Sequence, residues 1–343
     1  MRLIEPLGLL AGAEAGEAIR QGVARPLAGG GAAYTLARLI DGSEAHLLPA
    51  PDIAGEWVEL AERLAAAPPD WAGLGAAPVV MGILNITPDS FSDGGDHIDP
   101  ARAIAAGHAM VAAGAGLLDV GGESTRPGSA PVTPAEEQAR ILPVIRGLSD
   151  AGVPISVDTR YAATMAAALD AGAHIVNDVS ALVHDPAAAG LVAARAAPVV
   201  LMHMRGTPAT MGSLATYDDV AVEVTQELAE RVATAEAAGI PRARIVVDPG
   251  IGFAKRVHHN LEMLHRLPLL LNLGCRVLIG ASRKSFISGV VDVLAPKQRI
   301  PGSLAAALFA LSHGATVLRV HDVAETVQAV RIWQALAAGP SVA

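Results

Sequence analysis

From Pro78 onward, short apolar runs rich in β-branched residues recur at near-regular intervals. They cover residues 79–86, 117–120, 155–157, 175–179, 199–204, 245–247, 277–279 and 317–320, eight runs in all. Unbroken apolar runs of this length suit strands buried on both faces, as in a parallel sheet. Between them lie Ala-rich stretches with apolar residues three and four apart, at 100–115, 134–149, 160–171, 218–238 and 304–312. Such spacing predicts helices. Gly114, Gly152, Gly172 and Gly314 follow several of them, in the place of a helix C-terminal cap. Eight strand–helix units in about 260 residues predict an α/β fold, a (β/α)8 TIM barrel. A doubly wound sheet is the alternative. It would carry phosphate-binding glycines after its first strand, where this chain has Thr87-Pro88-Asp89-Ser90.

The first 76 residues follow another pattern, rich in Gly, Ala and Pro. Trp57, Val58, Leu60 and Leu64 predict one helix, and Pro68-Pro69 reads as a linker. Residues 1–76 are therefore an N-terminal extension of about 75 residues before a barrel domain at 77–343. The expectation is a small α/β appendage packed on the main domain, with no chemistry of its own.

Composition narrows the function. Of the 343 residues 52% are hydrophobic and 17% charged, enough to build a large core. Aromatics are only 3%, so Ala, Val, Leu and Ile must fill that core. A net charge of −9 and the lack of a Lys/Arg stripe argue against nucleic acid as a partner. The single Cys275 permits no intrachain disulfide and points to the cytoplasm. The start carries Glu5, Glu14 and Glu17 and does not read as a signal peptide. No uninterrupted apolar stretch is long enough for a membrane span; the segment 267–280 is broken by Pro268, Asn272 and Arg276.

Each apolar run ends in a polar group: Asn85, the stretch Glu123 to Arg126, Asp158, Asn177, His203, Asp248, Arg283 with Lys284, and Arg319 with His321. In a parallel barrel all eight C-terminal ends open on one face, where barrel enzymes carry their active sites. Asn177 and Asp248 offer acceptors to a ring with neighbouring N–H donors, such as a 2-aminopyrimidinone. Arg126, Arg319, His321, Arg283 and Lys284 supply positive charge for an anionic group. Plainer roles compete. Asp158 could cap the next helix, and Asp248 could shape the Pro249-Gly250 turn. Lys284 could be a solvated lysine or form a Schiff base. His203 reads as a buried or supporting histidine. His258, His259 and His265 lie on an apparent helix with no neighbouring carboxylate except Glu262 and make a poor zinc site. Gly250-Ile-Gly-Phe-Ala-Lys255 lacks the spacing of a nucleotide phosphate loop.

Several longer strings occur in order. They are Met81-Gly-Ile-Leu-Asn-Ile-Thr-Pro-Asp-Ser-Phe-Ser-Asp-Gly-Gly95, Asp119-Val-Gly-Gly-Glu-Ser-Thr-Arg-Pro-Gly-Ser129, Ile155-Ser-Val-Asp-Thr159 and Val176-Asn-Asp-Val179. Leu201-Met-His-Met204, Asp248-Pro-Gly-Ile-Gly-Phe253, Gly280-Ala-Ser-Arg-Lys-Ser285 and Arg319-Val-His-Asp322 complete the set. Over residues 79–336 the chain resembles the dihydropteroate synthases of the pterin-binding barrel family. The resemblance implies a transferase of folate biosynthesis that joins a pterin pyrophosphate ester to p-aminobenzoate by a dissociative displacement. It implies a pterin pocket of Asp158, Asn177, Asp248 and Lys284, and pyrophosphate contacts from Thr125, Arg126, Arg319 and His321. It further implies a p-aminobenzoate site of Phe91, Pro127, Phe253 and Ser285, with Asn85 helping to hold Mg²⁺. Asp158, Arg126 and Lys284 would carry the catalysis. Sulfonamides would compete with p-aminobenzoate, and the chain would be a homodimer, with 304–312 a contributor. Gly302-Ser303 stands where the family carries Gly-Thr.

Two other functions fit parts of this pattern. A methyltetrahydrofolate-dependent methyltransferase of the same barrel family shares the pterin-gripping acids, but has no need of Ser124-Thr-Arg-Pro127 or Arg319-Val-His321. A non-catalytic pterin-binding scaffold would bind without turnover.

Overall fold

The computed structural model describes residues 1–87, 99–124, 132–292 and 295–338. Its centre is a closed barrel of eight parallel strands. They are β5 (Val79–Asn85), β6 (Leu117–Gly121), β7 (Ile155–Asp158), β8 (Ile175–Asp178), β9 (Val199–Met202), β10 (Ile245–Asp248), β11 (Arg276–Ile279) and β12 (Val317–Val320). Each pairs with the next, and β12 closes on β5 with Val317 beside Val79. All eight predicted runs are strands, within a few residues at their ends.

The strands alternate between two apolar environments, which is why their sequences read as unbroken runs. Val80, Leu84, Leu118, Val120, Val157, Val176, Leu201, Val247 and Leu318 face outward to the surrounding helices. Val79, Met81, Leu117, Ile175, Val200, Val246, Leu278 and Val317 face inward and form a separate layer at the N-terminal end of the barrel. Helices at Pro100–Ala112, Pro134–Gly147, Ala162–Asp170, Val220–Ala237 and Ile300–Ser312 match the predicted stretches. Gly114, Gly152, Gly172 and Gly314 all have positive φ, as expected of residues that end a helix. No helix among the described residues is long and apolar enough to cross a membrane.

The front of the chain is a four-stranded antiparallel sheet with helices. Strand β3 (Ala32–Asp41) pairs with β1 (Arg2–Ala11) along one side. Along the other side it pairs with β2 (Arg25–Leu27) and then β4 (Glu44–Pro49). The predicted helix covers Val58–Ala65. Docking on the barrel is specific. Asn272 accepts from the Ile4 N–H at 2.9 Å and donates to the Ile4 carbonyl at 2.8 Å, acting as a side-chain strand partner. The buried Glu5 receives Arg266, which also pairs with Asp219 at 2.8 Å.

Pro68-Pro69, read from sequence as a linker, leads into a plug. Trp71 is 1% exposed and packs against the inward layer at the base of the barrel. Its indole N–H donates to the Arg244 carbonyl at 3.0 Å, immediately before β10. Trp71→Ala should therefore cost about 3–5 kcal/mol, the range for emptying a large aromatic site. Urea unfolding would measure this, and a loss below about 1 kcal/mol would show that the base of the barrel does not depend on the plug.

Candidate active site

One step beyond the apolar plug layer, on the same inward face, the strands change character. Leu117 is followed inward by Asp119, Ile175 by Asn177, Val246 by Asp248 and Val317 by Arg319, while Asp158 ends β7. A period of two places these groups on one side of the sheet. The register sets Asp158 beside both Gly121 and Asn177. Asp119, Asn177 and Asp248 are all buried.

Arg319 holds this layer together. Its Nε donates to Asp119 at 2.6 Å and its Nη2 to Asp158 at 2.7 Å. The same Asp119 oxygen accepts from the Asn177 amide at 3.0 Å. Asp248 Oδ1 accepts from the Gly250 N–H at 2.7 Å, so the turn reading was sound as far as it went. Lys284 donates to the Ile251 carbonyl, and its Nζ lies 4.8 Å from the centre of the Phe253 ring. Lys284 Nζ, Arg319 Cβ and Asp248 Oδ2 all come within 4 Å of the place a Cβ would take at Gly280, so the three converge beside that residue. Asp158 does not cap the next helix: Tyr161 holds that position, without a side-chain cap.

Other predicted residues lie at the rim. Asn85 ends β5 beside Gly121. His321 sits just beyond β12, with its N–H and Nδ1 both 3.1 Å from Ser282 Oγ. Phe253 is half-buried, and Ser285 opens the short helix Ser285–Ser288, exposed. Arg283 is paired with Asp322, with one contact at 2.9 Å, and so is not a free cation. Phe91, Thr125, Arg126 and Pro127 lie outside the described residues. Those residues contain no group of three or more His, Cys, Asp or Glu that could hold a metal ion. Of the three suspect histidines, His259 is buried and accepts from the Arg256 N–H, while His265 lies near Phe309.

The charges in this layer do not balance. Three carboxylates (Asp119, Asp158, Asp248) share two cations, Arg319 and Lys284. Arg319 keeps its proton, because two acids serve it against the cost of burial. Asp158 must share that cation with Asp119, and burial prevails, raising its pKa to about 7. Asp248 is likewise raised by burial, against the pull of Lys284. Burial lowers Lys284 to about 8, although Asp248 opposes the shift.

Sequence reasoning missed two features. Asp119 was hidden inside an apolar run; its signal was an acid at an inward strand position. The second is a buried chain behind the Asp248 loop. Lys255 Nζ lies 2.9 Å from His203 Nδ1 and donates to the Gly250 and Phe253 carbonyls at 3.3 and 3.2 Å. Burial lowers Lys255 to about 7. When protonated it can only donate, so His203 Nδ1 then accepts and Nε2 carries the hydrogen toward Glu227, 3.0 Å away. Burial, and then the Lys255 charge, lower the His203 pKa to about 4. The supporting role read for His203 is thus given a partner on each side. Ser303 also earns a place: its hydroxyl accepts from the Arg283 N–H at 2.8 Å, holding a left-handed residue next to Lys284. A threonine hydroxyl would serve equally.

Comparison with known proteins follows the same outline. A family model described as pterin binding enzyme matches residues 81–321. Dihydropteroate synthase of Escherichia coli (strain K12) is 45% identical over 259 residues, 75% of this chain and 91% of its own length. A solved structure of Xanthomonas albilineans dihydropteroate synthase with 4-aminobenzoic acid is 48% identical, with a TM-score of 0.73 over 78% of this chain and 95% of that one. Another from that organism, in complex with 7,8-dihydropteroate, is 46% identical, with a TM-score of 0.70 over 78% and 96%.

Removing the ammonium beside His203 should loosen its neutral state. In Lys255→Met the His203 pKa is expected to rise from about 4 toward its usual range, because a lowering charge is gone. Imidazole NMR titration reads this directly, and an unchanged midpoint would contradict the assigned contact.

Proposed function

Because this chain belongs to the pterin binding enzyme family, we propose how its residues divide the work of a dihydropteroate synthase. The reaction is a transfer: 6-hydroxymethyl-7,8-dihydropterin pyrophosphate and p-aminobenzoate give 7,8-dihydropteroate and pyrophosphate, in folate biosynthesis. The observation that carries the assignment of roles is the inward layer of Asp119, Asp158, Asn177, Asp248, Lys284 and Arg319 at the open end of the barrel.

Asn177 and Asp248 meet the donor edge of the pterin, and Lys284 supplies a donor beside them. With all groups ionised the layer carries one negative charge in excess. That is the sign a methylene cation needs as pyrophosphate departs, and Asp158 at the layer's upper edge provides it. Two of the three Arg319 guanidinium nitrogens serve carboxylates, and Nη1 is left to meet the pyrophosphate with His321, Thr125 and Arg126. The arylamine then attacks. Its nitrogen is unprotonated at neutral pH, so no strong base is required. Phe91, Pro127, Phe253 and Ser285 receive the p-aminobenzoate, and sulfonamides compete there.

Asn85 contributes a single amide oxygen at the rim. That donor set suits an ion such as Mg²⁺ that keeps its waters and is carried mostly by substrate phosphates. When bound, Mg²⁺ would neutralise charge on the leaving pyrophosphate. The buried thiol of the single Cys275 agrees with a cytoplasmic setting. Phe309, Ile332 and Leu336 are exposed on the helices Ile300–Ser312 and Val323–Ala338 and offer an apolar face to a second copy.

Pyrophosphate release from the two substrates, with and without Mg²⁺, tests the reading. A folded chain that binds pterin without release would be a scaffold, and methyl transfer from methyltetrahydrofolate would mark the other barrel activity. The pH profile is specific. Asp158 becomes a carboxylate above about 7, and Lys284 remains a cation below about 8. kcat/KM should therefore rise through about pH 7 and fall beyond about pH 8. Asp158→Asn should lower turnover about 100-fold or more and abolish the rising limb. A rising limb that survives in this variant would assign it to another group.

The same shift has a sign for stability. A raised carboxyl pKa favours the folded state below the unfolded value of 3.8, and that advantage is lost as pH rises through about 7. The stability of Asp158→Asn relative to the native chain should thus improve between pH 4 and pH 7. Chemical unfolding at the two pH values measures it, and a flat difference would place the native pKa near its ordinary value.

A further inference from the structure

Of the 25 Lys and Arg residues of the chain, only Lys255, Lys284 and Lys297 are lysines, and two of these three grip the turn that follows β10. Lys284 holds it from the barrel mouth, donating to the Ile251 carbonyl. Lys255 is buried behind it. Lys255 Nζ stands 2.9 Å from His203 Nδ1, 3.3 Å from the Gly250 carbonyl and 3.2 Å from the Phe253 carbonyl. One tetrahedral nitrogen can serve three such partners, whereas the planar fork of a guanidinium cannot turn its donors to all of them. Both protonation states keep the two carbonyl contacts. The ammonium has a third N–H for His203 Nδ1, and the neutral amine offers that nitrogen its lone pair instead.

The turn needs such holding. Gly250, Gly252 and Ala254 all have positive φ, and at Ala254 that conformation is strained. Within the turn the Phe253 N–H reaches the Gly250 carbonyl at 3.0 Å. Other holds come from side chains outside it: Asn260 accepts from the Gly252 N–H at 2.6 Å, and the Tyr217 hydroxyl donates to the Ala254 carbonyl at 3.0 Å. Lys255 ties the start of the turn at Gly250 to Phe253, and so sets where the Phe253 side chain leaves the backbone. That half-buried ring lies 4.8 Å from Lys284 Nζ. On its other side Lys255 leans on His203, which is held 3.0 Å from Glu227 on the helix Val220–Ala237. We propose that Lys255 is a positioning residue for the arylamine: it touches neither substrate, and it fixes the Phe253 ring against which p-aminobenzoate is bound. The inference rests on the assignment of Phe253 to the p-aminobenzoate site.

Steady-state kinetics of the full chain separate this role from general support of the fold. In Lys255→Met the KM for p-aminobenzoate should rise about tenfold, while kcat and the KM for the pterin substrate stay within about threefold of native. Phe253→Ala should raise the same KM about tenfold. Because Lys255 acts through Phe253, the double variant should match Phe253→Ala alone and not multiply the two effects. If Lys255→Met does not fold, Lys255→Gln carries the test; its shorter amide cannot span both carbonyls, and a rise of about threefold is expected. With Phe253→Ala behaving as stated, three results would each overturn the role of Lys255. They are an unchanged KM in the Lys255 variant, an equal loss toward both substrates, and multiplied effects in the double variant. A native KM in Phe253→Ala would instead sink the p-aminobenzoate assignment, and the inference with it.

Discussion

A barrel that binds a polar ring inside itself must hide charges from water, and here the Arg319 guanidinium makes that possible. It joins Asp119 on β6 to Asp158 on β7 from the opposite side of the closing strand pair. Asn177 on β8 is tied in through the same Asp119 oxygen. Several strand ends are thus fixed to one planar group, and their side chains cannot reorient singly. The arrangement also leaves the layer one counter-charge short. Burial, with that shortage, raises Asp158 to about 7, and when all the groups are ionised the layer has the negative sign that a cation formed within it requires.

The strands and helices of the barrel were legible because both faces of each strand are apolar over its first half, and the helices carry regular spacing and glycine stops. Asp158, Asn177, Asp248 and Arg319 were legible because they interrupt or end those runs. Asp119 was not, since an inward acid in the middle of a run looks like a lapse until the register places it below Asn177. Lys255 and His203 are 52 residues apart, and no local pattern connects them. The extension's sheet was hidden for a different reason: Gly, Pro and Ala weaken the alternation on which a strand assignment rests. Trp71 gave no sign of its role because its contacts come from strand beginnings spread over the whole chain.

The loops after β10 and β11 hold backbone conformations that cost energy. Ala254 and Arg283 have positive φ, and a Cβ at Gly250 would fall 2.1 Å from the His203 carbonyl oxygen. Each loop is held by a buried group: Lys255 binds the Gly250 and Phe253 carbonyls, and Ser303 receives the Arg283 N–H. The strain lies beside Asp248 and Lys284, the two side chains that the proposed assignment sets against the pterin and that must not wander. Stability is thus concentrated in partners that touch no substrate.

The plug and the docked strand also set an order of events during synthesis. Ile4 waits for Asn272, 268 residues later, and Trp71 waits for Arg244, 173 residues later. The extension leaves the ribosome before the barrel, yet the surfaces that receive it are made more than 170 residues later. Contacts of such separation form slowly, because the intervening chain must be closed first. Until β12 arrives to pair with β5, the barrel has two open edges and an uncovered base. A nascent chain of this protein therefore exposes its greatest apolar surface late in translation, and that is the interval in which a chaperone has most to hold.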